Sequence, residues 1–318
     1  MIHSMMDSEI WKREFELMVD QEHFEKVWDI INTSFNESVD SYLDNIVYTN
    51  PAIKPKDTLS LYIKKLIDEH SKGQEKNAEL FHSDNMAEYQ YDMDGFKGDT
   101  LSKKCPAIRV ALMSRVEALK DWRIAFKVVS PQKLYDTFYN MISFAEEYKD
   151  TMTEDVIEKI NTIDDNGLIQ LAEDFCYLTG VIGTGILSNI LNSIYPWLFP
   201  GMFKFGTFAL YILSGRQAID MGSNSSEFLM IKDDIRSKTG IIEADHNYFF
   251  PYETFALYTL RIYRALDKAI NDRFQIKFPD DYRYVLTNDF YRYIVDINKE
   301  RIQTLLGNDD ILKFQISV

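Results

Sequence analysis

Glycine and proline are scarce in this chain, 13 and 8 among 318 residues, which excludes a collagen-like or low-complexity polymer. Cysteine is scarcer still. Cys105 and Cys176 stand far apart with no metal-ligand spacing, which excludes a disulfide-stapled secreted scaffold and suits two apolar thiols in a reducing cytosol. The five histidines (His3, His23, His70, His82 and His246) never flank a glutamate at i, i+4, so the zinc-protease pattern is missing. There is no GxSxG and no glycine loop ending in GK[ST], and no cofactor is expected. Asp92, Asp94, Gly95 and Asp99 begin like a calcium loop, but its later oxygen ligands and closing glutamate are missing, so no metal is expected. The opening MIHSMMDSEIWKREF has no apolar stretch of signal-peptide length, and a cytoplasmic location is expected.

A surplus of positive charge is also lacking. The net charge is −15 and uneven. Residues 1–100 carry 10 Lys/Arg against 21 Asp/Glu, or −11, whereas residues 101–200 sum to −3 and residues 201–318 to −1. The first third is thus a poor partner for nucleic acid and a good one for a basic protein.

What is present is a large apolar fraction, 46%, arranged at helical spacing. Leu59, Tyr62, Ile63, Leu66 and Ile67 follow i, i+3, i+4, i+7, i+8 behind Asp57 or Thr58 as a cap. Ser130-Pro131 reads as an N-cap and first helical residue leading into Leu134, Phe138, Met141, Ile142 and Ala145. Pro251 opens a run through Phe255, Ile262, Tyr263, Leu266 and Ile270, and Asn288 reads as the cap of a last long helix. Only the tail 311–318 looks like a strand. The expected fold is all-α and multi-helical with little or no β. Residues 1–72 are expected as an acidic helical region, 73–104 as a polar linker or long loop, and 105–318 as a larger helical domain.

Residues 178–200, LTGVIGTGILSNILNSIYPWLFP, set Gly183 and Gly185 between apolar residues just before a helix-period run. Glycines there permit a tight turn with positive φ, and the next helix's first amides can hold a phosphate. The uncharged stretch also raises a membrane hairpin, but Thr179, Thr184, Ser188, Asn189, Asn192 and Ser193 interrupt its apolar character. A buried helix pair is favoured and no membrane association is expected.

With Leu168, Ile169, Leu171, Ala172, Phe175 and Leu178 as a first helix and residues 186–194 as a second, the segment resembles a helix-hairpin-helix motif. Similar modules occur in DNA glycosylases of that family and in helical domains of bacterial restriction and defence proteins. The resemblance implies that the amides of Thr184, Gly185 and Ile186, next to Gly183, meet a nucleic-acid phosphate, with Lys204 adding charge. It also implies an assembly for defence or genome maintenance. Where glycosylases carry a catalytic aspartate, this chain reads Gly201-Met202-Phe203-Lys204, with no carboxylate until Asp220, and residues 186–194 lack a lysine. Base excision is therefore not implied.

Lys103, Lys104, Arg109, Arg115, Lys120, Arg123 and Lys127 oppose only Glu117 and Asp121. This basic run suits a phosphate backbone or the acidic first third of the same chain. Aromatic and basic residues also interleave from Tyr248 to Tyr293, where core packing is favoured over base stacking. The expectation is a non-catalytic DNA- or RNA-associated protein using Gly183, Thr184, Gly185, Ile186, Lys204, Lys103, Lys104 and Arg109. The rivals are an acidic protein-interaction module and an enzyme with a dispersed carboxylate site.

Overall fold

The computed structural model describes residues 9–116, 119–172, 176–221, 226–232 and 243–306. They form an all-α fold with 14 α-helices and one two-stranded sheet. Two long helices open it, α1 (Glu9–Met18) being short, α2 (Gln21–Val47) and α3 (Pro55–Leu80) long. Asp20 caps α2 by accepting the His23 amide at 2.8 Å. α3 starts at Pro55, two residues before the expected cap, because proline's fixed φ suits the first helical position.

The expected loop at 73–104 is helical instead. α3 runs through Gly73 to Leu80, followed by α4 (Ser83–Tyr89), α5 (Met93–Gly95) and a π-helix (Phe96–Lys104). Asp92 caps α5 by accepting the Gly95 amide at 2.9 Å. The π-helix explains the weak periodicity of the sequence. Its bonds join residues five apart, as Cys105 N–H to Thr100 O at 2.9 Å, so Phe96, Leu101 and Cys105 fall on one buried side. A 3.6-residue template misses that spacing.

α6 (Pro106–Met113), α7 (Lys120–Val128), α8 (Pro131–Thr151) and α9 (Glu154–Ile157) follow. Ser130 and Pro131 take their expected N-cap and first-turn places. Beyond them lie α10 (Thr184–Ile194) and α11 (Lys204–Leu213). No helix among the described residues is long and apolar enough to cross a membrane. The hairpin β1 (Leu229–Lys232) with β2 (Glu243–His246) is antiparallel, Leu229 opposite His246. The expected strand at 311–318 lies outside the described residues.

α12 (Tyr252–Phe274) begins behind Pro251, as expected. α13 (Arg283–Ile297) begins five residues before Asn288, which sits buried inside it, and α14 (Lys299–Leu305) ends the described chain. α11 is the hub and packs against α2, α13 and both strands. At Gly206 an added Cβ would lie 3.2 Å from the Phe255 ring and 3.4 Å from that of Tyr291, so glycine lets α11, α12 and α13 meet. Buried apolar residues from Met18 to Leu306 form one continuous core. The 1–72 and 105–318 regions therefore share it.

Candidate nucleic-acid interface

The turn before α10 is closed by two backbone bonds, Leu178 N–H to Ile182 O at 2.9 Å and the reverse at 2.8 Å. Its positive φ, 76°, belongs to Gly180, not to Gly183 or Gly185. Gly183 is extended and is the N-cap of α10, with no side chain to cap the helix. The Ile186 amide donates to Gly183 O at 3.1 Å, which removes it from the expected phosphate donors. Among the described residues Thr184 and Gly185 have no acceptor for their amides, and Gly185 is exposed with nothing within 4 Å of an added Cβ. The expected first helix is reduced to a 3-10 turn, Leu168–Ala172. Phe175 lies outside the described residues, and Leu178 belongs to the turn's bridge.

Two short basic helices flank this turn. α6 packs on α10, and Trp122 of α7 donates its indole N–H to Val181 O at 2.7 Å. Ile108 and Phe126 anchor the two helices in the core, and Lys104, Arg109, Arg115 and Lys127 point to solvent. None of these four has a carboxylate within ion-pair distance among the described residues, whereas Lys103 pairs with Asp99. Arg123 turns inward and donates to Ser114 O and Val116 O at 2.8 and 3.1 Å, fixing the link between α6 and α7. No sequence pattern marks Trp122's part, because its indole partner is a backbone atom far along the chain.

Lys204 is a correction. It is 1% exposed and its Nζ lies 2.6 Å from Asp245 Oδ1, so it cannot reach a solvent phosphate. The same carboxylate oxygen meets His246 Nδ1 at 2.9 Å. Burial pushes the Asp245 carboxyl up, but the His246 hydrogen bond and charge and the Lys204 ammonium outweigh it and hold it well below the usual carboxylate range. The cluster ties α11 to β2.

The aromatic–basic interleaving near the C-terminus is packing. Tyr252, Tyr258, Tyr263, Tyr284 and Tyr291 are buried. Arg261 forks onto Glu25 at 2.6 and 2.7 Å and lies over the Phe24 ring at 4.8 Å. Arg264 donates to three carbonyls at 157–160, and Arg273 pairs with Asp44. Three acids of the first third, Glu25, Asp40 and Asp44, thus find cations on α12, while Asp99 pairs with Lys103 of the basic run. No protein-family model, curated protein or solved structure matches this chain.

Proposed function

We propose that the protein binds nucleic acid non-catalytically through the face formed by α6, α7 and the first turn of α10. One observation carries this reading: among the described residues Lys104, Arg109, Arg115 and Lys127 are exposed without carboxylate partners, on a segment that packs against the turn and helix whose Thr184 and Gly185 amides have no acceptor there. On a chain of net charge −15, four exposed cations within residues 104–127 that pair with no carboxylate among the described residues supply a local field for phosphates, and helix-start amides add directed donors.

Fluorescence-polarisation titrations with single-stranded and duplex DNA at stepped salt test it. Affinity should fall as salt rises, and Arg109→Gln with Lys127→Gln should each flatten the log–log slope by roughly one. Gly185→Val should weaken binding and leave the fold intact, since Gly185 has open space around it and no positive φ. No binding at low salt rejects the proposal.

A second reading has its own support. Met113, Ile124 and Val128 are 73%, 54% and 79% exposed on the same two helices, and such side chains suit a protein partner. Binding of a basic partner by the acidic first third has less to draw on, because Glu25, Asp40 and Asp44 already pair with Arg261 and Arg273.

A further inference from the structure

α6 and α7 set apolar side chains among their cations. On α7, Lys120, Ile124, Lys127 and Val128 are all exposed, and at i, i+4, i+7 and i+8 they make one stripe along the helix. This stripe is not the packing side of α7, because Phe126 is buried and Trp122 turns its indole to Val181 O. On α6, Arg109 and Met113 repeat the pattern four residues apart, both exposed. The backbone beneath is tied at both ends of α7. Arg123 holds Ser114 O and Val116 O at one end, and Lys97 Nζ donates to Lys127 O and Val129 O at 2.9 and 2.6 Å at the other.

Resting on the nucleic-acid reading above, we propose that the occupant of this face is a single strand, its phosphates on the cations and its unstacked bases against Met113, Ile124 and Val128. Charge complementarity selects a polyanion, and the aliphatic side chains select one with apolar surface of its own. The faces of unpaired bases are such a surface, and covering them removes apolar area from water on both sides. A duplex keeps those faces stacked inside and offers a helix only phosphates and groove edges. Edges are read mostly by guanidinium and amide side chains, and the α7 stripe has neither. Proteins of single strands join a basic track to platforms for the bases; here aliphatic side chains take the place that rings usually fill.

Fluorescence polarisation on the full chain at low salt tests the proposal. The probes are a labelled thymidine strand about 20 nucleotides long, the matching duplex and an abasic strand with the same phosphates, with poly-glutamate as competitor. The single strand should bind tightest, the duplex and the abasic strand each about tenfold weaker or more. Charge alone gives the reverse order for the duplex, which is the denser polyanion. Ile124→Gln combined with Val128→Gln, at exposed positions where glutamine suits a helix, should weaken strand binding about fivefold. The salt slope should stay unchanged, since no phosphate contact is removed, and thermal melts verify folding. Duplex or abasic strand binding as tightly as the base-bearing strand overturns the single-strand inference and leaves the phosphate reading standing, as does a double variant that binds like the parent. Failure of every nucleic acid at low salt overturns both. Displacement by poly-glutamate as effective as by unlabelled strand also overturns both and assigns the face to an acidic protein.

Discussion

His70 shows how burial sets chemistry at a single residue. It lies where α3 meets α10, and its Nε2 is buried without a hydrogen-bond partner among the described residues. Burial pushes its pKa down to about 4, only partly offset by a backbone hydrogen bond at Asn192. The folded protein therefore keeps this imidazole neutral where the unfolded chain, near its ordinary 6.5, takes up a proton. Its contribution to stability is intact above about pH 6.5 and is lost progressively as pH falls toward 4. Urea midpoints measured across that window should drop less steeply for His70→Gln than for the parent; equal slopes would reject the assignment. Nothing in the sequence marks His70 as different from His82, since the neighbours that desolvate it come from another helix. Lys204 teaches the same lesson. A lone lysine in an apolar stretch looked available to a ligand, and its partner Asp245 is distant in sequence and recognisable only in three dimensions.

Helices that bury a stripe of 3.6-residue spacing were legible. Ser130-Pro131 and Pro251 announced α8 and α12, because Pro131 fits the first turn, Pro251 stands at the N-cap, and the apolar period follows each directly. The π-helix at Phe96–Lys104 was not, since its inward residues alternate at five and four. Its importance is testable: Phe96 is fully buried and touches Tyr89, Tyr135 and Phe138 ring to ring. Phe96→Ala should cost about 3–5 kcal/mol in chemical denaturation, the usual loss for a buried phenylalanine. A cost under about 1 kcal/mol would mean that the segment is only loosely attached, as a linker would be. The turn before α10 was half legible. Its need for glycine shows in the sequence, but the positive φ falls at Gly180, and four-residue strands such as β1 and β2 leave too short a pattern to see.

For the whole molecule, the acidic and basic sums by thirds described the charge without revealing its pairing. The −11 of the first hundred residues is met in part by α12, through Glu25 with Arg261 and Asp40 and Asp44 with Arg273. The His23 ring, against Glu227 at 3.0 Å, adds a buried link between the same distant parts of the chain. Because one apolar core spans them, calorimetry should record a single cooperative unfolding transition, and two separated transitions would show independent units. The same long reach shapes the protein's birth. Arg261 is made 236 positions after Glu25, so at typical elongation rates of 5–20 residues per second α2 waits roughly ten to fifty seconds on the ribosome for its cover. Through that interval the nascent chain shows Phe24, Val27, Ile31 and Phe35 to the cell, and chaperones that grip apolar stripes have their main target there.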